Sequence, residues 1–167
     1  IRIMSLIVPT IMAETVDQLR ESTEKLQTFA RRVHIDISDG EFAPTFLLNE
    51  GQLFWPEGWE VDVHAMVARP SEHLAKLIQL KPSMVILHAE SQEDIVPHLA
   101  ALKQAGIKAG IALLKTTVPT TVQAAIQASD HVMIFSGELG KFGGNASMMQ
   151  LEKIRLIKKI KPDVEIG

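Results

Sequence analysis

From one end of the chain to the other, short β-branched runs alternate with longer amphipathic stretches, and no other feature narrows the possible folds so far. Residues 3–8 read as a strand that Pro9 ends. Residues 15–30 read as a helix, because Val16, Leu19, Leu26 and Phe29 recur at helical spacing with Glu and Lys between them. Further strands are expected over 32–37, 61–66, 83–87, 108–112 and 131–135, with another beginning at 164–166. Helices are expected over 71–80 with Ser71 as N-cap, over 92–105 closed by Gly106, over 120–128, and over 147–161 before Pro162. The segment 46–59, which contains Gly, Pro and Trp, has no clear period.

Alternation this regular means βαβ units and a parallel sheet, either open and doubly wound or closed into a barrel. No G-x-G-x-x-G follows the first strand, which weighs against the dinucleotide-binding form of the open sheet. No tandem repeat, low-complexity tract or linker interrupts the pattern, so residues 1–167 are expected to form one domain. Apolar residues make up 46% and charged residues 22%, enough to bury a core. A net charge of −3 suits nucleic acid poorly as a partner. No apolar run approaches the roughly 18–20 residues of a membrane helix, so no membrane partner is expected. The absence of cysteine excludes disulfides, a Cys-based zinc site and a Cys nucleophile, and fits a cytoplasmic protein.

Residues i, i+2 and i+4 of a strand share a face. In Val33-His34-Ile35-Asp36-Ile37-Ser38, that rule sets His34, Asp36 and Ser38 against Val33, Ile35 and Ile37. In Val61-Asp62-Val63-His64-Ala65-Met66, it sets Asp62, His64 and Met66 against Val61, Val63 and Ala65. A barrel strand shows its apolar face to the surrounding helices, so the polar face points inward, at the strand ends where barrel enzymes place their sites. Burying a carboxylate and two imidazoles there without partners costs several kcal/mol, and one divalent cation would partner all three. His34, Asp36 and His64 are therefore either metal ligands or a hydrogen-bonded core set. The donor types suit Zn, Fe, Mn or Co without choosing among them. His88 reads as a residue that supports the site or packs beside it. His73 and His98 are expected in solvent, and His131 has no assigned role. Phe142-Gly143-Gly144-Asn145 precedes a helix and is either a phosphate-binding turn or a plain glycine-rich loop.

Over essentially the whole chain, these residues resemble the ribulose-phosphate 3-epimerase family. Val8-Pro9-Thr10-Ile11 is similar to the family's A-P-S-I. His34-Ile35-Asp36-Ile37-Ser38-Asp39-Gly40-Glu41-Phe42-Ala43-Pro44 is similar to H-V-D-V-M-D-G-x-F-V-P, and Asp62-Val63-His64-Ala65-Met66 to D-V-H-L-M. His88-Ala89-Glu90 matches H-x-E, residues 106–113 match G-x-K-x-G-x-A-L, and Phe142-Gly143-Gly144-Asn145 matches F-G-G-Q. The resemblance implies an α/β fold of the TIM (β/α)8-barrel type, of which this chain would hold about six and a half βα units. It implies a divalent metal held by His34, Asp36, His64 and an Asp on strand seven. It further implies epimerisation at C3 of a ketopentose phosphate through an enediolate, D-ribulose 5-phosphate giving D-xylulose 5-phosphate, with Asp36 one of two acid/base groups. Thr10, Met66, Gly143, Gly144 and Asn145 would contact the phosphosugar.

Departures from the pattern widen the choice of substrate. Ser38 stands where the family has Met, Thr10 where it has Ser, and residues 135–141 do not match M-x-V-x-P-G. A hexulose phosphate, or phosphosugar binding without catalysis, is the alternative. The sequence stops at Gly167, before the family's D-G-G, so the isolated chain is expected to be nearly inactive and to associate with another copy through open strand edges.

Overall fold

A computed structural model describes residues 5–139, 141 and 143–167. The strands are β1 (Thr10–Met12), β2 (Arg32–Ser38), β3 (Glu60–Met66), β4 (Met84–His88), β5 (Lys108–Leu113), β6 (His131–Ile134) and β7 (Glu165–Ile166). The helices are α1 (Val16–Leu26), α2 (Ser71–Leu80), α3 (Val96–Gln104), α4 (Gln123–Ala128) and α5 (Met148–Ile160). A helix spans each crossover except that between β2 and β3, where only a 3-10 turn, Glu50–Gln52, forms. All neighbouring strands pair in parallel, in the order β1-β2-β3-β4-β5-β6-β7. A doubly wound sheet would reverse that order at a switch point; a barrel wall does not. The sheet is also curled, because Arg32 of β2 reaches Glu165 of β7 across the concave side, Nη2 donating to Oε1 at 2.6 Å. Among the described residues the architecture is α/β, with seven parallel strands and five helices in a curled half-barrel, consistent with a partial TIM barrel. No described helix is long and apolar enough to cross a membrane.

Strand alternation decides which side of the wall is core. Val33, Ile35 and Ile37 of β2 and Val61, Val63 and Ala65 of β3 are at most 1% exposed and join Leu19, Leu77, Leu99 and Ile157 from the helices in one cluster. Truncating a side chain of this kind, as in Leu19→Ala, costs about 2–5 kcal/mol. The concave side divides instead. On β4, β5 and β6 it carries Met84, Ile86, Ala112 and Met133, which pack together. Gly110 belongs to this patch by necessity, since a Cβ there would lie 2.8 Å from Ile86 Cγ1. On β2 and β3 the concave side is polar.

Several expected boundaries shift, each for a local reason. The strand expected over 3–8 falls partly on residues 3 and 4, which lie outside the described residues, and 5–8 are not strand. The first strand follows Pro9, whose carbonyl accepts from His34 N–H at 2.9 Å; a residue without an N–H can open a ladder. Ser71 is the first helical residue of α2 and not its N-cap. Glu93 does the capping from outside, accepting from Ser71 N–H at 2.9 Å and from its hydroxyl at 2.6 Å. Helix α3 starts at Val96, not 92, because Pro97 favours the first turn and Asp94 Oδ1 accepts from Val96 N–H. The helix expected over 120–128 divides into a 3-10 turn, Pro119–Val122, and the short α4. Gly106, at φ +79°, ends α3 as expected.

Candidate metal centre

Strands β2 and β3 lie in register with Asp36 beside His64 and His34 beside Asp62, so the alternation of two adjacent strands brings the three residues together. His34 Nε2 and His64 Nδ1 each lie 2.9 Å from the same carboxylate oxygen, Asp36 Oδ1. One donor atom from each residue falls within 4.8 Å of the others, a spacing that could hold a metal ion. Both contacts land on Oδ1, and Oδ2 takes no hydrogen bond from the described residues. His64 is 1% exposed. Its burial, opposed by Asp36, pushes the imidazole down to about 4, so the ring is neutral at pH 7 with an electron pair available. Burial raises Asp36, but the hydrogen bonds of His34 and His64 and their charge outweigh it and hold the carboxyl well below the usual range. A carboxylate with one buried and one half-buried imidazole is a donor set suited to a borderline divalent cation.

His88, at the end of β4, completes the cluster: its Nε2 lies 2.8 Å from His64 Nε2 and its Nδ1 lies 3.2 Å from Glu90 Oε2. The Phe42 ring packs on the imidazole at 4.5 Å between centroids. Asp39 shapes the rim. Its Oδ1 accepts from Glu41 and Phe42 N–H and its Oδ2 from Ala68 N–H at 2.7 Å, tying the loop after β2 to the loop after β3. Burial raises Asp39 and these backbone donors lower it further than that.

Two residues before the candidate ligands, toward the strand starts, lies a second polar cluster. Arg32 Nε donates to Asp62 Oδ2 at 2.9 Å and Nη2 to Glu165 Oε1, whose other neighbour is His131 Nδ1 at 2.9 Å. Burial raises Asp62 despite Arg32, and lowers His131 despite Glu165. His131, given no role on sequence grounds, is thus a member of this network. His73 and His98 are not free in solvent either; they pair with Glu50 at 3.0 Å and Glu93 at 3.3 Å.

The expected substrate contacts divide. Thr10, in register with His34, lines the same cavity of about 1010 Å³ as His34, Asp36 and His64. Gly143, Gly144 and Asn145 line a neighbouring cavity of about 400 Å³ with Lys115, Glu138 and Lys141, and Gly143 borders both. Phe142 of that motif lies outside the described residues. Gly144 cannot be replaced without movement, because a Cβ would sit 2.8 Å from Gly137 Cα. Met66 is 1% exposed and does not line the larger cavity. Sequence reasoning missed Glu90 as a partner of His88, although alternation puts 88 and 90 on one face. It also missed Arg32 and Glu165, which the rule that placed His34 would have set inward. Lys153 of α5, which donates to the Leu114 and Lys115 carbonyls at 2.7 and 2.9 Å, gave no signal in an amphipathic helix.

Comparison with known proteins adds to this geometry. A family profile described as the ribulose-phosphate 3 epimerase family matches residues 6–166. A ribulose-phosphate 3-epimerase from Chlamydia muridarum is 27% identical over 164 residues, covering 92% of this chain and 69% of that protein. One from Escherichia coli strain K12 is 26% identical over 160 residues, covering 92% and 71%. Among solved structures, an HMG-CoA lyase from Brucella melitensis superposes with a TM-score of 0.64 at 11% identity, covering 96% of this chain and 70% of that one; the likeness is one of fold.

Proposed function

The chain belongs to the ribulose-phosphate 3-epimerase family of isomerases, and from that premise we propose that it epimerises C3 of a ketopentose phosphate at a divalent-metal centre held by His34, Asp36 and His64. The observation that carries this reading is the convergence of two imidazole nitrogens on one carboxylate oxygen inside a large cavity. A bound Zn, Fe, Mn or Co ion would supply positive charge to stabilise the oxyanion that develops beside C3. Asp36 uses its two oxygens differently: Oδ1 fixes the imidazoles, and Oδ2 serves as one of two acid/base groups, exchanging the C3 proton on one face while a second group delivers a proton to the opposite face. A carboxylate can remove a proton α to a ketone only where that oxyanion is stabilised, so the two duties of Asp36 belong at one place. Backbone N–H groups of Gly143, Gly144 and Asn145 suit a phosphate, with the Lys115 ammonium beside them. We assign the Thr10 hydroxyl, which lines the cavity, to the sugar; Met66, buried and off the cavity lining, is assigned only to support beneath the site.

A hexulose phosphate is the second reading, favoured by Ser38, a small polar residue that is 5% exposed at the C-terminal end of β2. The experiment is deuterium incorporation from D₂O into C3 of ribulose 5-phosphate and of a hexulose phosphate, with each divalent ion in turn and then with chelator. Metal-dependent exchange into the pentulose supports the proposal. Exchange into the hexulose alone moves the assignment to the second reading. Binding of both without exchange makes the site non-catalytic.

A further inference from the structure

Helix α5 is fastened to two walls of the smaller cavity. The glycine loop, residues 143–145, leads into the helix at Met148. The loop after β5 is gripped from the side by the first two turns. Lys153 Nζ donates to the Leu114 carbonyl at 2.7 Å and to the Lys115 carbonyl at 2.9 Å, and Gln150 Nε2 donates to the Lys115 carbonyl at 3.3 Å. Gln150 and Lys153 are each 6% exposed, although their helix neighbours Met149, Leu151 and Glu152 stand in solvent. A buried ammonium costs free energy unless acceptors meet it, and the acceptors here are backbone carbonyls of one short loop. Lys115 is the residue that this grip places. Two lysines line the cavity with Glu138. Lys141 Nζ is already paired with Glu138 at 2.7 Å. The Lys115 ammonium makes no hydrogen bond or salt bridge among the described residues and acts on Glu138 only at longer range. An anion in the cavity therefore depends on Lys115 for its charge partner.

We propose that Lys153 and Gln150 are positioning residues that clamp the loop after β5 to helix α5 and so hold Lys115 where it meets the phosphate of the substrate. The inference rests on the phosphate reading above and extends it by two residues that do not line the cavity and act through the Lys115 backbone. Glu90 holds the same loop from its other side, accepting from the Leu114 N–H at 2.8 Å and from the Thr117 hydroxyl. Between those two anchors, residues 115 and 116 take hydrogen bonds from Lys153 and Gln150 alone among the described residues. One helix thus carries the glycine loop at its start and the donors that fix the facing lysine, so the two walls keep their spacing as one body.

Inorganic phosphate is the probe, titrated into the chain by calorimetry. Lys115→Met removes the ammonium itself and sets the scale with the largest loss of affinity. Lys153→Met keeps the unbranched stem but removes the donors, and phosphate affinity should fall about tenfold as Lys115 loses its place. Gln150→Leu removes one donor to the Lys115 carbonyl and should weaken phosphate about threefold. Its melting temperature should hold, because the side chain it replaces buries an oxygen, Oε1, that has no partner among the described residues. A merely structural role makes affinity follow melting temperature, so Gln150→Leu would then bind phosphate as the wild type does, and that result overturns the proposal. Amide hydrogen exchange gives a second reading of the clamp at the Thr117 N–H, which donates to the Leu114 carbonyl at 3.1 Å. Exchange there should quicken in Lys153→Met while the amides of β2 keep their wild-type rates. If Lys153→Met melts early, the same exchange measurement is made on Gln150→Leu, and an unchanged Thr117 rate overturns the clamp. Wild-type chain that binds no phosphate overturns the phosphate reading of the cavity. The exchange rates then decide the clamp alone: a faster Thr117 rate upholds it and an unchanged one overturns it.

Discussion

The concave side of β2 and β3 carries two polar layers built by the same alternation, yet they differ in what they leave unsatisfied. In the lower layer Arg32 lies between Asp62 and Glu165, and His131 takes the remaining approach to Glu165. One guanidinium there bonds both carboxylates, so each anion has a cationic partner, which no anion of the upper layer has. In the upper layer Asp36, His34, His64, His88 and Glu90 bring carboxylates and imidazoles together with no Lys or Arg among the described residues in hydrogen-bonding contact. It is rich in electron pairs and short of positive charge. A buried charged cluster is therefore not in itself a sign of a site; the sign is an imbalance that a ligand would correct.

The contrast can be broken from either side. The largest effect is expected at the upper layer. Asp36→Asn removes the proposed acid/base and one ligand, and C3 deuterium exchange should fall by at least about 10²–10⁴-fold, while thermal stability changes little. Exchange at the wild-type rate with cation still bound would refute the role of Asp36. In the lower layer Arg32→Met leaves Asp62 buried without its partner and should cost about 3 kcal/mol in urea unfolding, with Zn²⁺ affinity within twofold of the wild type. A loss of affinity with stability intact would show that the two layers are not independent.

Acid sharpens the comparison more gently, because each layer holds one histidine that burial keeps neutral. For His64 the ordinary value of 6.5 falls to about 4 in the folded protein, and His131 shifts in the same direction. The unfolded chain therefore binds these protons first. Their contribution to stability is complete above about pH 6.5 and is lost as the pH falls toward 4. For His64 alone the loss between pH 7 and pH 5 is about 2 kcal/mol in the metal-free protein. Asp36, being lowered, adds its own loss only below its ordinary value of 3.8, outside this interval. Urea midpoints measured from pH 7 to pH 5 check the slope, and a flat profile would contradict the burial of both rings as neutral groups.

Much of this arrangement can be read from the residues. Parallel β/α order, the polar side of β2 and β3, and the meeting of His34, Asp36 and His64 all follow from period-two alternation, which acts over a few residues and survives folding unchanged. What cannot be read depends on distant pairs. Nothing near Ser71 tells that Glu93 will cap it, and nothing near Arg32 names Glu165, 133 residues on, as its partner. The start of the sheet is ambiguous in the sequence because Pro9 can end a strand, while its missing N–H fits equally well before one. His88 is legible as a neighbour of the site, but its partner Glu90 is held by a backbone N–H at Leu114 that no side-chain pattern encodes.

The strictly sequential strand order has a kinetic consequence. Each ladder joins consecutive units, so the wall can assemble by adding one βα unit at a time, with short loop closures at each step. The Arg32–Glu165 pair instead joins β2 to β7 and gains its partner only after the intervening units are in place. Contacts of that kind are absent from the folding transition state and weigh on the rate of escape from the native state. In a chevron experiment Arg32→Met should leave the refolding limb nearly where it was and raise the unfolding limb, so that this long-range ion pair governs how long the curled wall lasts and hardly at all how fast it forms.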